Sequence, residues 1–229
     1  ADWAITPKAN RKKRLLISDM DSTIIEQECL DELADFAGLK AEVSAITERA
    51  MRGELDFAGA LTQRVAMLKG LNLGALEACH RERVRLNPGA RELVATMKAH
   101  GARSVLVSGG FGYFTSRVAK MAGFDADRAN TLIDDGAALT GEVKMPILGR
   151  EAKLTALLEE TAALGLTADD AVALGDGAND LDMIKAAGLG IAYHAKPIVA
   201  AQTTARIQHT DLRAALFFQG YAVGDLVSA

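Results

Sequence analysis

Asp19 and Asp21 stand two residues apart at the end of the apolar run "LLIS", in the stretch "LLISDMDSTIIEQE". Side chains two apart on a strand point to the same side, so the two carboxylates repel each other unless a cation or a proton relieves the pair. Two later runs end in the same polar fashion, at Ser108-Gly109-Gly110 and at Gly175-Asp176-Gly177-Ala178-Asn179-Asp180. Three hard oxygen donors, Asp19, Asp21 and Asp176, would suit Mg²⁺, which binds through few carboxylates and keeps sites for water and substrate phosphate. An aspartate held ionised by such an ion and by a lysine can attack phosphorus, while a partner whose pKa is raised can carry a proton to and from oxygen.

Ser108 and its glycines offer a hydroxyl and open backbone N–H groups for phosphate oxygens. Lys153, near the start of an expected helix, offers a point cation. Each feature has a plainer reading when taken alone. D-x-D before Ser-Thr can be a capped turn, S-G-G is a common turn, and Lys153 and Lys144 can be surface lysines. G-D-G-x-N-D is more specific, and the ordered set, with each member at a strand or helix end, favours a site.

The elements that must place these residues read as α/β. Residues 15–19 form an expected strand, and residues 26–86 carry only helical signals, among them "CLDELADFAG" to Gly38 and "DFAGALTQRVAMLKG" from Asp56 to Gly70. Asn87 and Pro88 are the expected cap and first turn of a helix that ends at Gly101. Strand "RSVLVSGG", a helix to Gly123, a hairpin over 130–144 turning at Asp135-Gly136, a helix over 150–164, strand "AVALGD", a helix over 179–187 and strand "LGIAY" follow. Short apolar strands alternating with amphipathic helices predict a Rossmann-like parallel sheet covered on both faces, with a small helical insert after the first strand and a β-hairpin flap. The expected domains are a tail or linker remnant at 1–14, a catalytic α/β core of 15–25 and 87–229, and a helical cap of 26–86. In such a sheet ligands bind beyond the carboxyl ends of the strands, where the three polar signatures end.

The chain has 229 residues, about half of them hydrophobic, and a net charge of −4, so it provides no broad positive field for nucleic acid or anionic membrane. The basic cluster "RKKR" at its start reads as a solvated linker. Cys29 and Cys79 lack disulfide or zinc spacing and are expected as buried helix residues. No signal sequence or bilayer-length apolar run is seen, so a soluble cytoplasmic protein with a small-molecule partner is expected, as monomer or homodimer.

The segments "DMDSTIIEQECLDELADFAG", "ITERAMRGELDFAGAL", "RVAMLKGL", "VSGGF", "LTGEV", "EAK" and "ALGDGANDLDMIKAAGLGIAYHAKP" resemble the haloacid dehalogenase-like phosphohydrolases, and within them the branch acting on phosphoserine in the last step of serine biosynthesis. The likeness runs from about residue 15 to residue 213. It implies that Asp19 is the nucleophile forming an aspartyl phosphate, and that Asp21 is the general acid and base, giving Mg²⁺ its backbone carbonyl. Asp19 and Asp176 are then the carboxylate ligands, with Asn179 and Asp180 supporting phosphate and metal. Ser108 and Gly109 bind phosphate, and Lys153 holds the nucleophile and the phosphoryl oxygens.

The insert becomes a cap over the site. Arg64 and Glu28 are then assigned to the substrate's carboxylate and ammonium, with Met51 and Phe57 as apolar lining. Taken alone, Arg64 reads as a solvated helix charge and Phe57 as core. Many bacterial relatives have a regulatory domain ahead of the catalytic unit; the residues before the first strand are too few for one, and effector regulation is not expected.

Other readings are a phosphatase or phosphotransferase for another small phosphomonoester, a signalling receiver, a dehalogenase and a nucleotide-binding module. Asp21 and the long insert argue against the receiver, and a dehalogenase has no use for Asp21. No G-x-x-x-x-G-K-[ST] loop is present.

Overall fold

The computed structural model describes residues 2–51 and 54–228, without the side chains of Glu48, Ala50 and Met51. In chain order the strands are β1 (Trp3–Ala4), β2 (Leu15–Ser18), β3 (Arg103–Phe111), β4 (Ala126–Asn130), β5 (Leu132–Asp134), β6 (Leu139–Val143), β7 (Ala171–Gly175), β8 (Leu189–Tyr193) and β9 (Ala205–Ile207). Among the described residues, all but β5 and β6 form one sheet in the order β1-β9-β8-β7-β2-β3-β4. Every neighbouring pair in it is parallel except β1 with β9. The strands that end in the polar signatures, β7, β2 and β3, are thus neighbours at the centre of the sheet.

Period-two alternation assigns the two faces. Leu16, Leu106, Val172, Leu174 and Ile191 join one buried cluster. Leu15, Ile17, Val105, Val107, Ala171 and Ala173 join the other. Both faces are dry, which is why these strands are continuously apolar. Burying each Leu or Ile side chain contributes about 1.5–3 kcal/mol.

The helices α1 (Cys29–Phe36), α2 (Lys40–Met51), α3 (Phe57–Met67) and α4 (Leu73–Arg83) lie between β2 and α5 (Ala90–Ala99), which leads into β3. Asp56 caps α3 by accepting from Gly59 N at 2.7 Å, and Asn72 caps α4 by accepting from Gly74 N at 2.8 Å. Cys29 and Cys79 are buried in this layer as free thiols. The β5–β6 hairpin is antiparallel and joins the same layer through Gly70 N to Leu139 O and Leu139 N to Leu71 O. After the hairpin come α7 (Arg150–Ala163), α8 (Leu181–Ala186), α9 (Pro197–Ala200) and α10 (Ala214–Phe218); α6 (Gly112–Ala122) precedes it.

Two local expectations are corrected. The cap of α5 is Gly89, at φ +81, not Asn87; the Asn87 amide instead donates to the carbonyls of Thr23 and Ile25, beyond the end of β2. The helix expected from residue 179 begins at Leu181, behind a short 3₁₀ turn over Ala178–Asp180.

Residues 2–14 are mostly exposed yet tied to the fold. Trp3–Ala4 pair with β9, and the Asp2 carboxylate accepts from the backbone N–H groups of Gln208 and Thr210. Arg11 Nε donates to Phe218 O at 3.0 Å, and Lys13 Nζ to Asp169 O at 2.7 Å. The basic cluster serves backbone carbonyls, as cations do at helix C-termini.

No helix of the described residues is long and apolar enough to cross a membrane.

Candidate active site

β2 ends one residue before Asp19, whose N–H donates to Leu174 O at 3.0 Å and so continues the register with β7 into the turn. The Asp19 Oδ1 atom lies 2.7 Å from Lys153 Nζ, which reaches up from the first turn of α7. The same ammonium donates to Asp180 Oδ1 at 2.6 Å, and Asp180 Oδ2 accepts from Gly177 N at 3.0 Å. Lys153 is 1 % exposed and Asp180 fully buried. Gly175 is required here, because a Cβ on it would lie 2.4 Å from the Asp180 carboxyl carbon.

The carboxylate of Asp21 faces away from this cluster. Its Oδ1 accepts from Cys29 N at 2.9 Å, at the N-terminus of α1, and its Oδ2 accepts from Ser108 Oγ at 3.2 Å. Ser108 Oγ in turn accepts from Gly110 N at 2.8 Å. Each carboxylate thus has its own partners across the turn that follows β2, although Asp21 still adds to the upward push on Asp19.

Asp19, Asp176 and Asp180 are buried and bring one carboxylate oxygen each within 4.8 Å of the others. Lys153 is the cation shared between Asp19 and Asp180, and among the described residues the Asp176 carboxylate accepts only a long 3.4 Å bond from Thr23 Oγ1. Burial would lower the Lys153 pKa, but Asp19 and Asp180 outweigh it and raise it, so the ammonium stays charged. Burial pushes Asp19 well above the ordinary carboxylate range, Asp180 adds to the push, and Lys153 opposes it. Burial, with Asp180 and Glu28, pushes Asp176 up to about 6, against Lys196 and Lys153. One cation cannot neutralise three buried carboxylates, and this hard-oxygen set with negative charge to spare fits a divalent metal. Asp21 is pushed up to about 7 by burial and by the Glu28 charge, against its bonds from Cys29 and Ser108.

A cavity of about 150 Å³ opens over these groups and is lined by Asp19, Asp21, Glu28, Phe57, Arg64, Ser108, Gly109, Asp176 and Asn179 among others. Lys153 and Asp180 lie behind it. The structure therefore brings together, around one space, residues from β2, α1, α3, β3 and β7. Glu28 is exposed and accepts from Ser22 Oγ at 2.6 Å. Arg64 is half-buried, its Nε donating to Ala60 O at 3.3 Å; burial lowers its pKa, while Asp31 and Glu28 act the other way. The Met51 side chain lies outside the described residues. Lys144 is exposed on the hairpin.

Residues not singled out from sequence also line the cavity: Leu30, Leu61 and Lys196. Leu30 and Leu61 sit at helical spacing that reads only as core. Lys196 follows β8 in "AYHAKP", inside a segment that carries the family likeness, and that position was its one signal.

The sequence matches the haloacid dehalogenase-like hydrolase family over residues 16–185. It is 48% identical over 204 residues to a phosphoserine phosphatase of Polaromonas sp., covering 87% of this chain and 86% of that protein. Against a phosphoserine phosphatase of Streptococcus thermophilus the identity is 47% over 200 residues, covering 87% and 93%. A solved phospho-aspartyl intermediate analogue of phosphoserine phosphatase superposes with TM-score 0.83 at 39% identity, covering 90% of this chain and 99% of that one. A substrate-bound phosphoserine phosphatase complex gives TM-score 0.83 at 38% identity, covering 90% and 98%. On sequence, sheet order and fold alike, the chain belongs to the haloacid dehalogenase-like hydrolase family.

Proposed function

We propose that this chain is a Mg²⁺-dependent phosphoserine phosphatase that works through an aspartyl phosphate on Asp19. The observation that carries the reading is the separation of the two first-turn carboxylates, Asp19 on Lys153 at 2.7 Å and Asp21 on Cys29 N–H and Ser108 Oγ. One lies against an ammonium at the cavity; the other is placed to handle a proton. The identity to phosphoserine phosphatases over most of both chains supports the choice of substrate.

In the first step an Asp19 carboxylate oxygen attacks phosphorus, the bond from phosphorus to the serine oxygen breaks, and Asp21 protonates that oxygen as serine leaves. In the second, water attacks the phosphorus of the aspartyl phosphate, the bond to Asp19 breaks, and the Asp21 carboxylate takes the water's proton. Phosphate departs and both aspartates return to their starting states.

Asp19, Asp176 and the Asp21 backbone carbonyl would hold Mg²⁺, with Asp180 supporting them. Bound there, the ion neutralises the carboxylates and the phosphoryl oxygens.

Ser108, Gly109 and Asn179 bind phosphate oxygens, and Lys153 keeps Asp19 from competing as a bare charge. Arg64 takes the substrate carboxylate and Glu28 its ammonium, over an apolar wall of Phe57 and Met51. Residues 26–86 act as a cap that excludes water in the first step, over a core of 15–25 and 87–229. A cytoplasmic enzyme with no nucleic-acid or membrane partner fits this chemistry.

A phosphate-release assay on phosphoserine, with EDTA and then with Mg²⁺ restored, tests the reading. Turnover that EDTA abolishes and Mg²⁺ restores is expected. Equal turnover of sugar phosphates would remove the substrate assignment, and EDTA-resistant turnover the metal.

A further inference from the structure

Lys153, the cation beside the nucleophile, is already committed, its ammonium divided between Asp19 and Asp180. Arg64 is assigned to the substrate carboxylate. Lys196 remains. Its backbone N–H donates to the Asp176 carbonyl at 3.2 Å, Pro197 opens α9 directly after it, and Ala195 before it is buried. The main chain at Lys196 is therefore held at the rim, and the residue is part of the cavity lining. No hydrogen bond or ion pair among the described residues engages its ammonium, which is exposed to solvent.

The charge balance indicates what such a cation serves. Asp19, Asp21, Glu28 and Asp176 line the cavity with four carboxyl groups, against Arg64 and Lys196. A phosphate monoester brings roughly two more negative charges at neutral pH. Since β7 and β3 flank β2, the phosphoryl group over Asp19 meets Ser108 on the β3 side and the Asp176 loop on the β7 side. On the β7 side, beside the Asn179 amide, the Lys196 ammonium is a cation that no hydrogen bond or ion pair among the described residues engages. Its pull on Asp176 ranks ahead of that of Lys153, which places its charge on that side.

We propose that Lys196 is a further phosphate-binding residue, its ammonium taking a non-bridging phosphoryl oxygen from the Asp176 side, across Asp19 from Ser108. This deepens the phosphatase reading and rests on it. A flexible ammonium at the rim suits capture of an incoming anion and binds substrate phosphate and product phosphate alike.

The test compares Lys196→Gln and Lys196→Arg with the wild type by calorimetric titration of inorganic phosphate in saturating Mg²⁺, by titration of Mg²⁺ itself, and by kcat and KM on phosphoserine. Lys196→Gln should weaken phosphate binding and raise KM by about tenfold each, the size of one charge-assisted hydrogen bond. Mg²⁺ affinity should not fall, and Lys196→Arg should stay within about threefold of wild type, since it keeps the charge.

Unchanged phosphate affinity in Lys196→Gln overturns the proposal, as does a wild type that binds no phosphate. So does a loss explained by weaker Mg²⁺ binding, or one that Lys196→Arg shares in full. A wild type that binds phosphate but leaves phosphoserine intact removes the substrate assignment alone, and the phosphate titrations still decide the role of Lys196.

Discussion

The ring of Phe57, at the start of α3, lies so close over Gly109, near the end of β3, that a methyl group on Gly109 would stand 3.0 Å from Phe57 Cζ. The helical layer and the catalytic turn are in contact at this point, and the second glycine beneath the ring, Gly149, leaves 3.3 Å to Phe57 Cδ1. Phe57 is 36 % exposed, so an added methyl displaces the ring, and with it the start of α3, by a few tenths of an ångström.

Gly109→Ala should therefore hold the helical layer open and lower kcat/KM on phosphoserine by about tenfold or more, as expected when a closing element is misplaced. Trimming the opposing ring, Gly109→Ala with Phe57→Ala, should recover part of the loss. Strictly additive effects in that double-mutant cycle would mean that the ring contact does not matter.

Asp19→Asn should abolish turnover and any acid-stable phosphoryl labelling, yet leave the fold at least as stable, because it removes the charge of one of three clustered buried carboxylates, only two of which reach Lys153. Lys153→Met should do the reverse, costing about 3–5 kcal/mol in urea unfolding by leaving buried carboxylates without their cation. A Lys153→Met protein as stable as wild type would contradict this account of the charges.

Arg64→Ala should weaken phosphoserine hydrolysis by about a hundredfold, the scale of a lost buried charge pair, and leave a phosphoester without a carboxylate within about threefold. The comparison of the two substrates is the measurement. Equal losses on both would show that Arg64 does not read the amino acid.

Glycines can be ranked by what a methyl group would meet. At Gly190 in β8 it would stand 2.0 Å from the Ile184 carbonyl oxygen, so Gly190→Ala should cost at least ~3 kcal/mol. At Gly136, in the hairpin turn with φ +90, nothing lies within 4 Å, and Gly136→Ala should cost only ~1 kcal/mol of backbone strain. Thermal unfolding of the two variants side by side checks the ranking.

Glu160, on α7, accepts from Arg103 Nε at 2.8 Å and from Arg128 at 2.7 Å. Burial would raise its pKa, but the two arginines more than offset this and hold it below the ordinary value of 4.5. A depressed folded pKa contributes stability that is present above the unfolded value and lost as pH falls through the folded one. Unfolding free energy should accordingly drop below about pH 4.5 in wild type, and Glu160→Gln should be less stable at pH 7 with a shallower acid fall. An unchanged acid limb in that variant would show that Glu160 carries none of the pH dependence.

Much of the fold was legible because its signals are local. The apolar run before Asp19, the glycine at position 123 with φ +90 after α6, and Asp135, whose carboxylate accepts from Ala137 and Ala138 N–H in the hairpin turn, each act within a few residues. Asn87 misled for the same reason: its side chain found the Thr23 and Ile25 carbonyls, more than 60 residues away, in place of the helix it precedes. The basic residues at 11–13 likewise look solvated until their acceptors at Phe218 and Asp169 are in place.

The chain alone therefore determined the order of β2, the helical insert, β3 and β7, and the chemistry of the residues that end those strands, since periodicity and turn chemistry are short-range. Which carboxylate shares Lys153 with Asp19, where the Asp21 side chain turns, and that Lys196 stands on the same rim were decided by the tertiary structure. Charges act through space over a few ångströms, and only the strand order β7-β2-β3 sets which of them are neighbours.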